Sequence, residues 1–217
     1  IELNFHRIEG LSEKFVYFND DMFLIRPTTK LDFFKKGLPC DMGVMRPITY
    51  DKWKLGLYTK LNSLVIIGEN FNKKEVVKKN FWKFMTPVYG KFLIENITNL
   101  LYPNFTGFRC THSPYPFLKD SFNKVWSRAE LQLDETCRNR FRSSTGVNPW
   151  VIKWWQICEG NFAPKNDMKF SKTLAIGLDD EEIKANLRNP KFTNICISDD
   201  VEDVNFESEK QVLIAEF

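Results

Sequence analysis

Phe15-Val16-Tyr17-Phe18-Asn19-Asp20-Asp21-Met22-Phe23 is the stretch on which the fold turns. An apolar, aromatic run stops at three polar residues, two of them acidic, and then becomes apolar again. That is the pattern of a buried strand that delivers carboxylates at its carboxyl end. Two adjacent carboxylates repel each other and are best tolerated beside a cation, either a divalent metal or an arginine.

Outward from this strand, helix-like and strand-like segments alternate, which indicates an α/β fold. Residues 1–9 place Ile1, Phe5 and Ile8 on one helical face, with Gly10 as the stop. A helical turn is expected over 32–36 and a short strand over 41–46. Trp53, Leu57, Leu61 and Leu64 give a helix over 51–67 that Gly68 caps. Asn72 is placed to cap the next helix, which carries Val76, Val77 and Phe81. A third helix spans 90–101 and stops at Pro103, and 105–110 read as a strand leading to His112. Two short helices follow, at 119–127 and 129–141. Asn148-Pro149 starts a helix that ends at Gly160. Asp179 or Asp180 caps 180–188, 192–197 form a last strand, and 203–217 form a weakly patterned helix. Trp154-Trp155 and Phe81-Trp82 sit at helical spacing and read as core.

The composition is that of a folded domain: 43% hydrophobic, 27% charged and 15% aromatic, in 217 residues. A net charge of +3 provides no dedicated polyanion surface, so a nucleic-acid partner is not expected. Cys40, Cys110, Cys137, Cys158 and Cys196 form no CxxC pair and read as reduced thiols, hence a cytoplasmic protein. On that reading the sequons at Asn96 and Asn104 are chance. No apolar run approaches the ~20 residues that a membrane span needs. No signal peptide is expected, and a peripheral position at the inner membrane face stays open. The chain starts without methionine, in what reads as the last turns of a helix, so it is expected to be a piece of something longer.

Four clusters carry chemistry. Asn19-Asp20-Asp21 suits a Mg²⁺ or Mn²⁺ ion that neutralises a nucleotide-sugar diphosphate, the bland alternative being a solvated Asx turn. His112 precedes Pro114 and Pro116, which stiffen the backbone after a side chain suited to general acid–base work. The bland alternative there is a packed loop. Arg138, Arg140 and Arg142 around Phe141 can aim guanidinium forks at phosphate, or can form a basic helix end facing its own carbonyls. Asp199-Asp200, past the last strand, can add a carboxylate to the cation site, or can cap the acidic tail.

Taken together, these residues resemble the Stealth family of sugar-1-phosphate transferases. The family includes bacterial capsular and cell-surface polysaccharide phosphotransferases and the animal N-acetylglucosamine-1-phosphotransferase. His6-Arg7-Ile8, Gly10-Leu11-Ser12 and Phe15 through Phe23 look like its second conserved region. His112 through Phe117, Phe141-Arg142-Ser143 and Val147-Asn148 look like its third. Asn194-Ile195-Cys196-Ile197-Ser198-Asp199 looks like its fourth, with Ser198 where the family usually has asparagine. The family's first region is expected upstream of Ile1.

The resemblance implies transfer of a sugar-1-phosphate from a UDP-sugar to a hydroxyl of an acceptor glycan, with release of UMP. It implies an open, nucleotide-sugar-binding sheet like that of A-type glycosyltransferases. Residues 1–217 would form a single domain, with 51–101 as a helical insertion or lid. A divalent cation (Mg or Mn) would sit on Asp20 and Asp21 with Asp199. His112 would take the acceptor's proton, Arg142 would stabilise the phosphoryl group, and Asn19, Lys119, Arg138 and Arg140 would help bind substrate. The alternatives are a metal-dependent glycosyltransferase that releases UDP and a non-catalytic glycan-binding fragment.

Overall fold

β-Branched and aromatic residues between polar turns set the strands, and the computed structural model describes residues 1–49, 54–198 and 214. A 3₁₀ helix at Glu2–Arg7 precedes strands β1 (Lys14–Tyr17) and β2 (Met22–Leu24). A single turn, α1 (Lys30–Phe33), leads to β3 (Phe34–Lys35) and β4 (Leu38–Asp41). Helices α2 (Lys54–Asn70), α3 (Lys73–Lys79) and α4 (Phe81–Phe84) follow, then a 3₁₀ stretch and α5 (Leu93–Asn99). Strand β5 (Tyr115–Leu118) runs straight into α6 (Lys119–Arg138). The described chain closes with α7 (Trp150–Glu159), β6 (Ala163–Pro164), α8 (Asp167–Phe170), β7 (Ser171–Ala175), α9 (Asp180–Arg188) and β8 (Asn194–Ser198). The α/β class holds. The strands form three small sheets, ordered β1-β5, β2-β8-β7 and β3-β4-β6.

The chain divides into two compact units, the larger being 1–15, 34–110 and 116–165, and the smaller 16–33, 111–115 and 166–217. In the smaller unit β2 runs antiparallel to β8, and β7 runs parallel to it. Alternation along β8 sends Ile195 and Ile197 to one face, where they pack with Leu174, Ile176 and Ile183. Burying a side chain of this kind is worth about 1.5–3 kcal/mol. Cys196 and Asn194 therefore face the other way.

The larger unit is built on aromatic packing and a few satisfied buried polar groups. Phe117 meets Phe122 edge-on at 5.2 Å, and Trp126 Nε1 donates to the Leu3 carbonyl at 2.8 Å. Trp154 and Trp155 are buried, as their spacing indicates. Asn96 is fully buried: its amide donates to Gly43 O and Phe84 O while its Oδ1 accepts from Met45 N–H. A glycan cannot reach that side chain, which agrees with reading its sequon as chance. Lys153 and Asp41 form a buried ion pair at 3.1 Å.

Several expected boundaries hold because their signals are local. Asn72 Oδ1 accepts from Glu75 N–H and caps α3, an interaction worth about 1 kcal/mol. Gly160 takes φ +77° at the end of α7, where an added Cβ would lie 2.1 Å from Asn80 Oδ1. Asp179 and Asp180 spend their carboxylates on the preceding turn, at Ala175 N–H and Gly177 N–H, rather than on the first N–H groups of α9.

Other expectations are corrected. The first segment is a 3₁₀ helix that buries Leu3 while Ile1 and Ile8 stay exposed, since three residues per turn rotate the stripe. Helix α2 runs through Gly68 to Asn70 and buries Ile66 and Ile67, while Leu61 of the expected stripe is exposed. Packing against α7 overrides the glycine. Past Asp41, the end of β4, the segments at 41–46 and 105–110 form no strands and are joined by one bridge, Met45–Phe108, with Arg109 N–H donating to Val44 O and Arg46 N–H to Gly107 O. The two helices expected across 119–141 are one helix, bent at Ala129 (φ −133°, ψ 32°). Phe81 and Trp82 are exposed rather than core, because α3 breaks at Asn80 and the short α4 turns Phe84 inward instead. The helix expected over 203–217, Ile214 apart, and the residues Asp199 and Asp200 lie outside the described residues.

Candidate functional site

Residues 19–22 form a tight turn in which Met22 N–H donates to Asn19 O at 3.2 Å, so the acidic pair sits at the corner between β1 and β2. A corner of this kind sends adjacent side chains in different directions. Asp20 is exposed, whereas Asp21 is half-buried and tied into the sheet by Ile197 N–H donating to its carbonyl at 2.8 Å.

Register then brings in a residue that sequence reading missed. Met22 lies opposite Cys196, and the Cys196 thiol donates to Asp21 Oδ2 at 3.1 Å. His112 joins them from the loop before β5. Donor atoms of Asp21, His112 and Cys196 all lie within 4.8 Å of one another. Among the described residues this is the group placed to hold a metal ion.

The backbone of His112 is held by a chain of buried polar groups. Asn194 Nδ2 donates to Ser171 Oγ at 2.7 Å, and Ser171 Oγ donates to His112 O at 2.7 Å. Strands β7 and β8 thus position the imidazole through its main chain, while the imidazole itself stays exposed. Tyr17 stacks on Tyr115 at 6.0 Å and packs the base of the same loop.

The donor set accommodates a divalent ion on its carboxylate. Asp21 Oδ1 is buried and accepts no hydrogen bond among the described residues, while Oδ2 is occupied by the Cys196 thiol. A buried carboxylate oxygen without a donor is costly unless a cation faces it. Carboxylate oxygen suits Mg²⁺ or Mn²⁺, whereas thiolate sulfur suits softer ions, so Cys196 fits the role of a donor to Asp21 better than that of a hard-ion ligand. Two other thiols are unsuited to nucleophilic chemistry at neutral pH: burial pushes Cys110 up to about 11 and raises Cys158 well above the ordinary thiol range.

The remaining expected site residues belong to the larger unit. Lys119 opens α6, with its ammonium 3.4–3.5 Å from the carbonyls of Leu11 and Ile8. Arg138 pairs with Asp134 at 2.8 Å on the helix surface, and the Arg140 guanidinium lies over Phe141 at 5.4 Å. Arg142 is exposed on a loop pinned by Asn62 Nδ2, which donates to Ser144 O and Gly146 O. The structure therefore gathers Asp21 and His112 around Cys196, leaves Asp20 outward, and carries the basic residues on the other unit.

Residues 1–40 match the family model "Stealth protein CR2, conserved region 2". The resemblance to the Stealth family is thus met by a family match over residues 1–40, and the whole chain is similar to polysaccharide phosphotransferases. It is 36% identical over 217 residues to the capsular polysaccharide phosphotransferase WcwK of Streptococcus pneumoniae, covering 100% of this chain and 64% of that protein. It is 35% identical over 215 residues to the receptor polysaccharide phosphotransferase WefC of Streptococcus gordonii, covering 98% of this chain and 62% of that protein. An exopolysaccharide phosphotransferase of Lactiplantibacillus plantarum is 36% identical over 204 residues, covering 92% of this chain and 58% of that protein. The chain thus spans less than two thirds of the length of these curated relatives.

Proposed function

We propose that this chain is part of a phosphotransferase that moves a sugar-1-phosphate from a UDP-sugar to a hydroxyl of an acceptor glycan, in capsule or exopolysaccharide assembly. The observation that carries this reading is the meeting of Asp21 and His112 in a chain aligned almost end to end with polysaccharide phosphotransferases.

The acceptor oxygen forms a bond to the phosphorus that bears the sugar, the bridging P–O bond breaks, and UMP leaves. The acceptor's proton passes to the exposed His112 imidazole, a transfer typically worth ~10²–10⁴ in rate. Arg142 stabilises charge on the transferred phosphoryl group, with Arg138, Arg140 and Lys119 as further basic contacts. Asn19 orients the acidic turn. Asp21, with Asp199 and the outward Asp20 beside it, would hold a divalent cation, which would supply charge to neutralise the diphosphate.

In this reading the β2-β8-β7 sheet belongs to a nucleotide-sugar-binding core of the A-type glycosyltransferase kind, with its acids at a strand end. The helices between 51 and 101 serve the acceptor side. A cytoplasmic location follows from the supply of UDP-sugars.

The nucleotide product tests this. Incubation of the enzyme with a panel of UDP-sugars and the cognate glycan should yield UMP and a phosphodiester-linked sugar, seen by ³¹P NMR. Release of UDP with a glycosidic linkage would mean an ordinary glycosyltransferase. Glycan binding with no consumption of any UDP-sugar would mean a binding fragment.

A further inference from the structure

Helix α5 is built inside out. Its buried positions are Asn96 and Asn99, both satisfied by backbone groups, while Ile94 and Ile97 are 59% and 49% exposed. Other apolar side chains of this segment are also in solvent, with Leu101 at 87%, Tyr102 at 50%, Phe81 at 42% and Trp82 at 79%. The Phe81 and Trp82 rings meet edge-on at 5.1 Å. Phe81 and Tyr102 also line one groove of about 310 Å³, together with Lys73, Lys74 and Lys78.

The groove is braced from below. The buried Lys73 ammonium donates to Asn99 O and, at 2.6 Å, to Tyr102 O, tying α3 to the end of α5. Lys74, Lys78 and Lys79 stay exposed around it. Residues 73–102 hold six lysines and two glutamates, a net +4 against +3 for the whole chain, so the positive balance of the protein is concentrated in this segment.

Phe81, Leu100 and Tyr102 line this groove among lysines, with Trp82 against Phe81, and exposed apolar side chains gathered in this way mark an interaction surface. An apolar patch alone would suit many partners. The lysine border selects a negatively charged one, and the depth of Trp82 and Leu101 in solvent selects one that can be penetrated. A nucleic acid meets only the first requirement. A lipid surface with anionic headgroups meets both, with tryptophan and tyrosine at the interface and lysines at the phosphates.

We infer that this face, made by α3, α4, α5 and the turn after it, binds the surface of an anionic membrane. Trp82, Ile97 and Leu101 enter the headgroup–acyl boundary, and Lys74, Lys78 and Lys79 meet the phosphates. The inference stands independently of the phosphotransfer reading.

Flotation of the 217-residue chain with phosphatidylglycerol-containing vesicles and with pure phosphatidylcholine vesicles tests it. Binding should require phosphatidylglycerol, weaken as salt is raised, and shift tryptophan emission to the blue. The double variant Trp82→Ala/Leu101→Ser should lose binding with its circular dichroism and unfolding midpoint unchanged. Lys74→Gln/Lys78→Gln should lower partitioning by about thirtyfold. Should either variant misfold, the salt release and the emission shift of the unaltered chain still decide. Absence of binding to phosphatidylglycerol vesicles, equal binding to phosphatidylcholine, or folded variants that bind like the parent would overturn the inference. So would a dimer, seen by sedimentation, that the same substitutions dissociate, since the face would then join copies of the chain.

Discussion

The Cys196 thiol donates a hydrogen bond to Asp21 Oδ2 across 3.1 Å, so the last described strand fixes the orientation of a carboxylate from the first acidic turn. Cys196→Ala removes that donor and leaves a small void in a buried position. It should destabilise the fold by about 1–3 kcal/mol, read as a lower urea midpoint. Cys196→Ser, which keeps a donor, should recover part of the loss.

The same geometry separates the two neighbouring acids. Asp21 has a buried oxygen with no hydrogen bond among the described residues, and Asp20 is exposed. Asp21→Asn should therefore weaken Mn²⁺ binding, measured by titration calorimetry, much more than Asp20→Asn does. Equal effects would place the ion elsewhere.

His112 is exposed, and its carbonyl accepts a hydrogen bond from Ser171 Oγ. His112→Ala should lower turnover by ~10²–10⁴ while donor affinity changes little, as measured by single-turnover kinetics and donor titration. Unchanged turnover would remove the base assignment.

Lys153 and Asp41 are 3.1 Å apart, with side chains only 3% and 1% exposed. Lys153→Met removes the ammonium 3.1 Å from a buried carboxylate and should cost about 3–5 kcal/mol. The double variant Lys153→Met/Asp41→Leu should be the more stable of the two, because both charges are then gone. Chemical denaturation of the single and double variants checks this.

Folding stability should also depend on His6. Its ring stacks on Phe122 at 5.9 Å, and burial, then Arg7, then Lys119 hold its pKa below 6.5. The unfolded chain therefore binds the proton more readily than the folded one. The neutral-histidine stability is fully present above pH 6.5 and is lost as pH falls through the lower folded value. His6→Gln should flatten the fall in unfolding free energy below pH 6.5, relative to the parent.

What the sequence determined by itself was whatever short-range chemistry controls. Asn72 as a cap, Gly160 as a stop, the strand before Asn19, and the buried Trp154 and Trp155 follow from side chains acting within a few residues. The acidic corner and His112 were legible as chemistry because their residue types are unusual at the end of an apolar strand and before two prolines.

What only the tertiary structure decided depends on register and on which helix face finds a partner. Cys196 looks like one more apolar residue of β8 until pairing with Met22 sets it beside Asp21. Phe81 and Trp82 have core spacing, yet the break at Asn80 spends the inward direction on Phe84 and leaves both rings in water. A strand has two faces and a helix many. Which of them is buried is settled by segments distant in sequence, and no local pattern carries that information.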